Sequence, residues 1–216
     1  MKINHVCFDL DGTLVKSDKT ILNAVFETLN ILNIDYEIDE DEFKNAIGLH
    51  FFDIFQQFNI QVPDFNKFIK IYKSVYFDFI DESELYPDVA NTLISLSKKD
   101  NMKISLLTTK SQDQAEKIVN HFEIGTCFDY IMGRRDGMKY KPSGEPLKFI
   151  CKKIYVDICS TLIVGDTELD INCGKNAGAM TCAVTYGYRS EKKLRQLNPD
   201  YIIEGMGDLN LLFKLD

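Results

Sequence analysis

The sequence predicts a three-layer α/β fold: a Rossmann-like parallel sheet core with a small α-helical domain inserted. Three observations carry this expectation. From about residue 88 onward, short apolar runs alternate with segments of helical periodicity, the pattern of a parallel sheet with right-handed crossovers. A first apolar run, KINHVCF at residues 2–8, stands apart from the others. Between it and Tyr86 the apolar residues recur at helical intervals, with no convincing strand.

Taken in order, residues 2–8 read as a buried strand. In the insert, Leu22, Val25, Phe26, Leu29 and Leu32 share one helical face. Phe65, Phe68, Ile69, Tyr72, Val75, Tyr76 and Phe79 form a second stripe, with Asn66, Lys67, Lys70 and Lys73 elsewhere around the wheel. Phe51, Phe52, Phe55 and Phe58 are expected in the core of this unit. After Pro87, a good first-turn residue, come a helix at 88–97, the strand KISLLT at 103–108, a helix at 112–122 and the strand FDYIM at 128–132. A helix at 144–154, the strand TLIVG at 161–165, a helix at 169–177, the strand MTCAV at 180–184 and a short YII at 201–203 complete the alternation. The expected domains are residues 1–15 with 87–216 as the α/β core, and residues 16–86 as the helical insert. An insert after the first strand is placed to act as a lid over the carboxyl ends of the strands, where open α/β sheets bind ligands.

Composition narrows the function. The 216 residues are 45% hydrophobic and 27% charged, as in a soluble globular protein. Acidic residues outnumber basic ones 33 to 25, giving a net charge of -8, and no basic cluster exceeds a pair, which argues against nucleic acid and anionic membranes. An anionic substrate therefore needs a local positive site. The cysteines at 7, 127, 151, 159, 173 and 182 show no zinc-like or C-x-x-C spacing, so reduced thiols in the cytoplasm are expected. No apolar run approaches the roughly 18 residues of a membrane helix, and the N-terminus shows no secretory leader. A monomer or homodimer acting on a small molecule is expected.

Four features carry the chemistry. In FDLDGT, Asp9 and Asp11 are i and i+2 at the end of the first strand. If the strand continues, both carboxylates point to one side and want a cation or a shared proton; an Asx-type turn is the structural alternative. In TLIVGDTELD, Asp166 and Asp170 follow another buried strand, either as acids at a helix N-terminus or as a continuation of the same carboxylate set. Hard oxygen ligands in this number suit magnesium. Thr108 ends KISLLT and is followed by Thr109, so a hydroxyl and turn amides meet there, for phosphate or for a helix cap. Lys141 in KYKPSGEP could neutralise an aspartate and a phosphate together, with Lys139 its rival. All four lie just after strands of one sheet.

In this order, D-x-D-G-T at 9–13, Thr108, Lys141-Pro142 and G-D-x-x-x-D at 165–170 resemble the four motifs of the haloacid dehalogenase superfamily. LYPDVANTLISL, LLTTK, KPSGEPL and VGDTELDINCGKNAGA are similar to its phosphoglycolate phosphatase-like branch with a helical cap. The resemblance covers essentially the whole chain and is weakest in the cap. It implies that Asp9 is a nucleophile forming an aspartyl-phosphate and that Asp11 is the acid and base. It implies magnesium on Asp9, the backbone carbonyl of Asp11 and Asp166, with Asp170 in support. Thr108, Thr109 and Lys141 would bind the phosphoryl group. The implied activity is a phosphatase acting on a small phosphate monoester such as phosphoglycolate. A sugar phosphomutase of the β-phosphoglucomutase type, or a nucleotide or pyrophosphate phosphatase, is the alternative. KPSG departs from the usual Lys-Pro-x-Pro. In the cap, Gly48 and His50 are candidate substrate contacts.

Overall fold

A computed structural model of the chain describes residues 3–213. Its main sheet contains β1 (His5–Phe8), β2 (Lys103–Ser111), β3 (Tyr130–Arg134), β4 (Thr161–Gly165), β5 (Met180–Val184) and β6 (Tyr201–Ile203). Their order is β3-β2-β1-β4-β5-β6, and every pairing is parallel. The parallel sheet is the Rossmann-like core expected from the sequence, and its strand order is of the Rossmann type. The strand sequence reverses direction at β1, with β2 on one side and β4 on the other, so the ligand-collecting switch point lies at the carboxyl end of β1.

The central strands are apolar without alternation because both sheet faces are covered. HVCF of β1 and TLIVG of β4 are buried throughout. Beside them Cys7, Leu107, Met132, Leu147, Ile150 and Ile163 pack as one cluster, where each large aliphatic side chain is stabilised by about 1.5–3 kcal/mol on burial. His5, which opens β1, is fully buried and satisfied: its ring nitrogens lie 3.0 Å from Thr161 Oγ1 and 2.8 Å from Ser105 Oγ. Burial pushes its pKa down to about 4.

The flanking helices are α5 (Val89–Ser97), α6 (Gln112–His121), α7 (Glu145–Lys153) and α8 (Glu168–Ala177), followed by the short α9 (Glu191–Gln196) and α10 (Asp208–Phe213), which the sequence pattern had not shown. They are numbered after α1 (Asp18–Ile31), α2 (Glu40–Ala46), α3 (Phe51–Gln57) and α4 (Phe65–Val75) of the insert. Where helix α8 begins, Thr167 caps the backbone amide of Leu169 while the Asp170 side chain accepts from Thr167 N, a reciprocal capping box.

Several boundaries differ from expectation. β1 begins at His5; Asn4 still exchanges backbone bonds with Ser160 and Lys103, and Lys2 lies outside the described residues. β2 runs three residues past the predicted end at Thr108, because its register against β3 shifts after Leu107 and pairing resumes at Ser111–Arg134. Val15–Lys16 and Glu84–Leu85 form a two-stranded sheet, each strand too short to leave a periodicity.

The chain divides into two compact units, Met1–Val15 with Leu85–Asp216, and Lys16–Glu84. The second is helical and packs around aromatic residues: Phe51 meets Tyr72 edge-on at 4.6 Å and Phe55 meets Phe68 at 4.9 Å. Phe55 is buried as expected of a core residue, whereas Phe52, in the same helix, is 54% exposed.

Candidate active site

The site grows from the end of β1. Asp9 extends the ladder by one residue, its N–H donating to Val164 O at 2.9 Å. The chain then folds back on itself: Leu14 and Val15 both donate to Leu10 O, and Gly12 N donates to Val15 O at 2.8 Å. Gly12 has φ +82, and a Cβ there would overlap the Asp166 carboxylate, so both its conformation and its lack of a side chain are required.

Asp166, one residue beyond β4, is completely buried. Its Oδ1 accepts from the Thr13 hydroxyl at 3.0 Å and its Oδ2 from the Tyr188 amide at 2.9 Å. Gly187 lets the Tyr188 segment come this close, because a Cβ at 187 would collide with Asp166 Cβ. Tyr186 OH donates to Thr13 O at 2.9 Å, which fixes the turn from behind. Asp170, in the first turn of α8, is also fully buried and accepts from the Thr167 hydroxyl at 2.7 Å.

Lys141 joins these carboxylates. Its Nζ is 2.6 Å from Asp9 Oδ1 and 2.6 Å from Asp170 Oδ1, with the lysine only 3% exposed. Burial opposes its charge, yet Asp170 and Asp9 outweigh that and hold its pKa above the ordinary value. Lys139, the rival in the sequence, is exposed.

Ligand oxygens of Asp9, Asp166 and Asp170 lie within 4.8 Å of one another. Three carboxylates against one lysine leave two formal negative charges in a buried place. Burial first, then the neighbouring aspartates, push Asp9 well above the usual carboxylate range despite Lys141. Burial, reinforced by Asp170, raises Asp166 to about 7. Such a set is short of positive charge, and its hard oxygen donors fit a divalent cation of the magnesium type.

Thr108 is buried in β2, where its Oγ1 accepts from the Lys110 amide at 3.2 Å; Thr109 is half-buried next to it. Lys110 turns its Nζ to within 3.3 Å of Asp11 Oδ1.

A profile described as haloacid dehalogenase-like hydrolase matches residues 6–184. The chain belongs to the haloacid dehalogenase-like hydrolase family. It is similar to a pyrophosphatase PpaX from Bacillus mycoides, 33% identical and covering 97% of this chain and 96% of that protein. Pyrophosphatase PpaX from Halalkalibacterium halodurans is 31% identical over 97% of this chain and 96% of its own. Among solved structures, a haloacid dehalogenase-like family hydrolase from Streptococcus pneumoniae superposes with a TM-score of 0.86, at 26% identity and 98% coverage of both chains.

In this hydrolase the core motifs converge: Asp9, Lys141, Asp166 and Asp170 form one cluster, with Thr108 on the strand beside β1. Beyond Asp9 the chain turns at Gly12, and the Asp11 carboxylate stands 3.3 Å from Lys110 Nζ. Gly48 and His50 lie in the Lys16–Glu84 unit. Gly48 has φ +100. His50 caps α3, its Nδ1 accepting from Phe52 N at 3.3 Å, and stacks on Phe65. Sequence reasoning missed Thr13 and Tyr188 as holders of Asp166, and Lys110 as partner of Asp11. Of these only Thr13 left a sequence signal, as the last residue of the D-x-D-G-T motif.

Proposed function

We propose that this hydrolase is a magnesium-dependent phosphatase that cleaves a small phosphate compound through an aspartyl-phosphate on Asp9. The observation that carries the reading is the Asp9 carboxylate, held at 2.6 Å by Lys141 beside buried Asp166 and Asp170 at the switch point of the sheet. Asp9 attacks phosphorus and the bond to the leaving oxygen breaks, with Asp11 giving that oxygen a proton. Asp11 then takes a proton from water, whose oxygen attacks the same phosphorus and restores the Asp9 carboxylate. Thr108, Thr109 and Lys141 hold the oxygens of the transferring phosphoryl group. Asp9, the carbonyl of Asp11 and Asp166 would hold magnesium, supported by Asp170, and the bound ion supplies the positive charge that lets a carboxylate approach a phosphate.

The names of the PpaX relatives support inorganic pyrophosphate as substrate, the anhydride alternative raised by the sequence, ahead of a phosphoglycolate-like monoester. The Lys16–Glu84 unit is proposed as the cap, with Gly48 and His50 as its substrate contacts. The enzyme is placed in the cytoplasm as a monomer or homodimer, in line with its composition and net charge of -8. Phosphate release from pyrophosphate, phosphoglycolate and a hexose 1-phosphate, by wild type and Asp9→Asn, with magnesium or chelator, tests the reading. Release that needs both magnesium and Asp9 supports it. Activity surviving Asp9→Asn or chelation, or isomerised sugar phosphate in place of free phosphate, overturns it.

A further inference from the structure

The register shift of β2 falls between Leu107 and Ser111, and within it lies Lys110. Lys110 makes two connections: its amide donates to Thr108 Oγ1 at 3.2 Å, and its ammonium stands 3.3 Å from Asp11 Oδ1. The side chains of Lys110 and Asp11 are 9% and 11% exposed, so water screens their charges weakly. The two aspartates of one short motif thus each have a lysine, Lys141 beside Asp9 and Lys110 beside Asp11.

We propose that Lys110 is a specificity-determining residue that favours substrates whose leaving group carries its own negative charge, such as the phosphate leaving pyrophosphate or the glycolate leaving phosphoglycolate, over neutral alcohols. The inference rests on the proposed role of Asp11 as the acid that reaches the leaving oxygen. A cation beside that acid stands on the leaving-group side of the phosphorus. When the phosphorus–oxygen bond breaks, its electron pair stays on the leaving oxygen and the proton comes from Asp11; Lys110 supplies charge and hydrogen-bond donors and transfers nothing. A leaving group with a phosphate or carboxylate of its own gains from that charge, and a sugar or glycerol gains little.

The test compares kcat/KM for pyrophosphate and phosphoglycolate with that for β-glycerophosphate and a hexose phosphate, in wild type, Lys110→Met, Lys110→Gln and Lys110→Arg. The expected result is a preference for the anionic leaving groups that falls about tenfold or more in Lys110→Met and Lys110→Gln and returns to within about threefold of wild type in Lys110→Arg. A merely structural lysine would lower all four substrates by one factor, and that outcome overturns the proposal, as does a wild type without the preference. Asp9→Asn, assayed in parallel, separates the two readings. An inactive Asp9→Asn with an unchanged preference in the Lys110 variants sinks the role of Lys110 alone, whereas an active Asp9→Asn sinks the phosphatase mechanism beneath it.

Discussion

Lys141 Nζ and Asp9 Oδ1 are 2.6 Å apart, joined in a pocket that leaves both residues less than a tenth exposed. The same ammonium reaches Asp170, so one cation organises a carboxylate from the end of β1 and another from the first turn of α8.

Lys141→Met leaves Asp9 and Asp170 buried without their shared partner. Breaking a buried pair from one side costs roughly 3–5 kcal/mol, and urea unfolding in chelator is expected to show a loss of that order. Phosphate release is expected to fall about a thousandfold or more. Lys141→Arg is not expected to rescue it, since a planar fork does not reproduce a point donor at 2.6 Å from two oxygens. Near-normal turnover in Lys141→Met would contradict this placement.

Stability of the metal-free protein carries a sign set by Asp166. Its folded carboxyl is raised to about 7 from an ordinary 3.8, so between these values the folded chain keeps a proton that the unfolded chain has lost. The contribution is fully present below pH 3.8 and disappears as pH rises through 7. In chelator the melting temperature of wild type should therefore drop between about pH 5 and pH 8 relative to Asp166→Asn. Magnesium should raise the wild-type melting temperature at pH 8 and do so far less in Asp166→Asn. Equal magnesium shifts in the two proteins would argue against a cation at Asp166.

His5 gives the opposite sign. Its folded pKa is lowered to about 4 from 6.5, so its contribution is full above pH 6.5 and is lost as pH falls through 4. The full loss is about 3 kcal/mol at 1.36 kcal/mol per unit. His5→Asn lowers stability near pH 7 by emptying a buried place, but its stability should fall less steeply than that of wild type between pH 6.5 and pH 4. Parallel acid limbs for the two proteins would show that His5 does not titrate in this way.

Gly12→Ala sets a methyl group against the Asp166 carboxylate at a residue with φ +82. Strain at such a position is of order 1–3 kcal/mol, and the displaced carboxylate should weaken magnesium binding more than it weakens folding. Calorimetric titration with magnesium beside thermal melts checks the two effects separately.

Much of this was readable in the sequence because burial on both faces leaves unbroken apolar runs. HVCF and TLIVG announce the two central strands, and Asp9 and Asp166 stand out because each follows such a run almost at once. Asp170 was visible for a second reason, the helix start that it caps. Lys110 was hidden because its approach to Asp11 depends on a register shift that no residue pattern encodes. Tyr188 was hidden because it contributes a backbone amide, 22 positions away from Asp166, and amides have no side-chain signature. The i, i+2 reading of Asp9 and Asp11 holds only for a continuing strand, and Gly12, with φ +82, turns the chain just after Asp11.

The central claim is that Asp9 takes the phosphoryl group, and rapid acid quench of the enzyme during turnover of pyrophosphate, followed by peptide mass spectrometry, tests it most directly. The account predicts an adduct of one phosphoryl group on the peptide carrying Asp9, present with magnesium and absent from Asp9→Asn, which is itself inactive. Turnover with no adduct on that peptide, together with persisting phosphate release by Asp9→Asn, would contradict it.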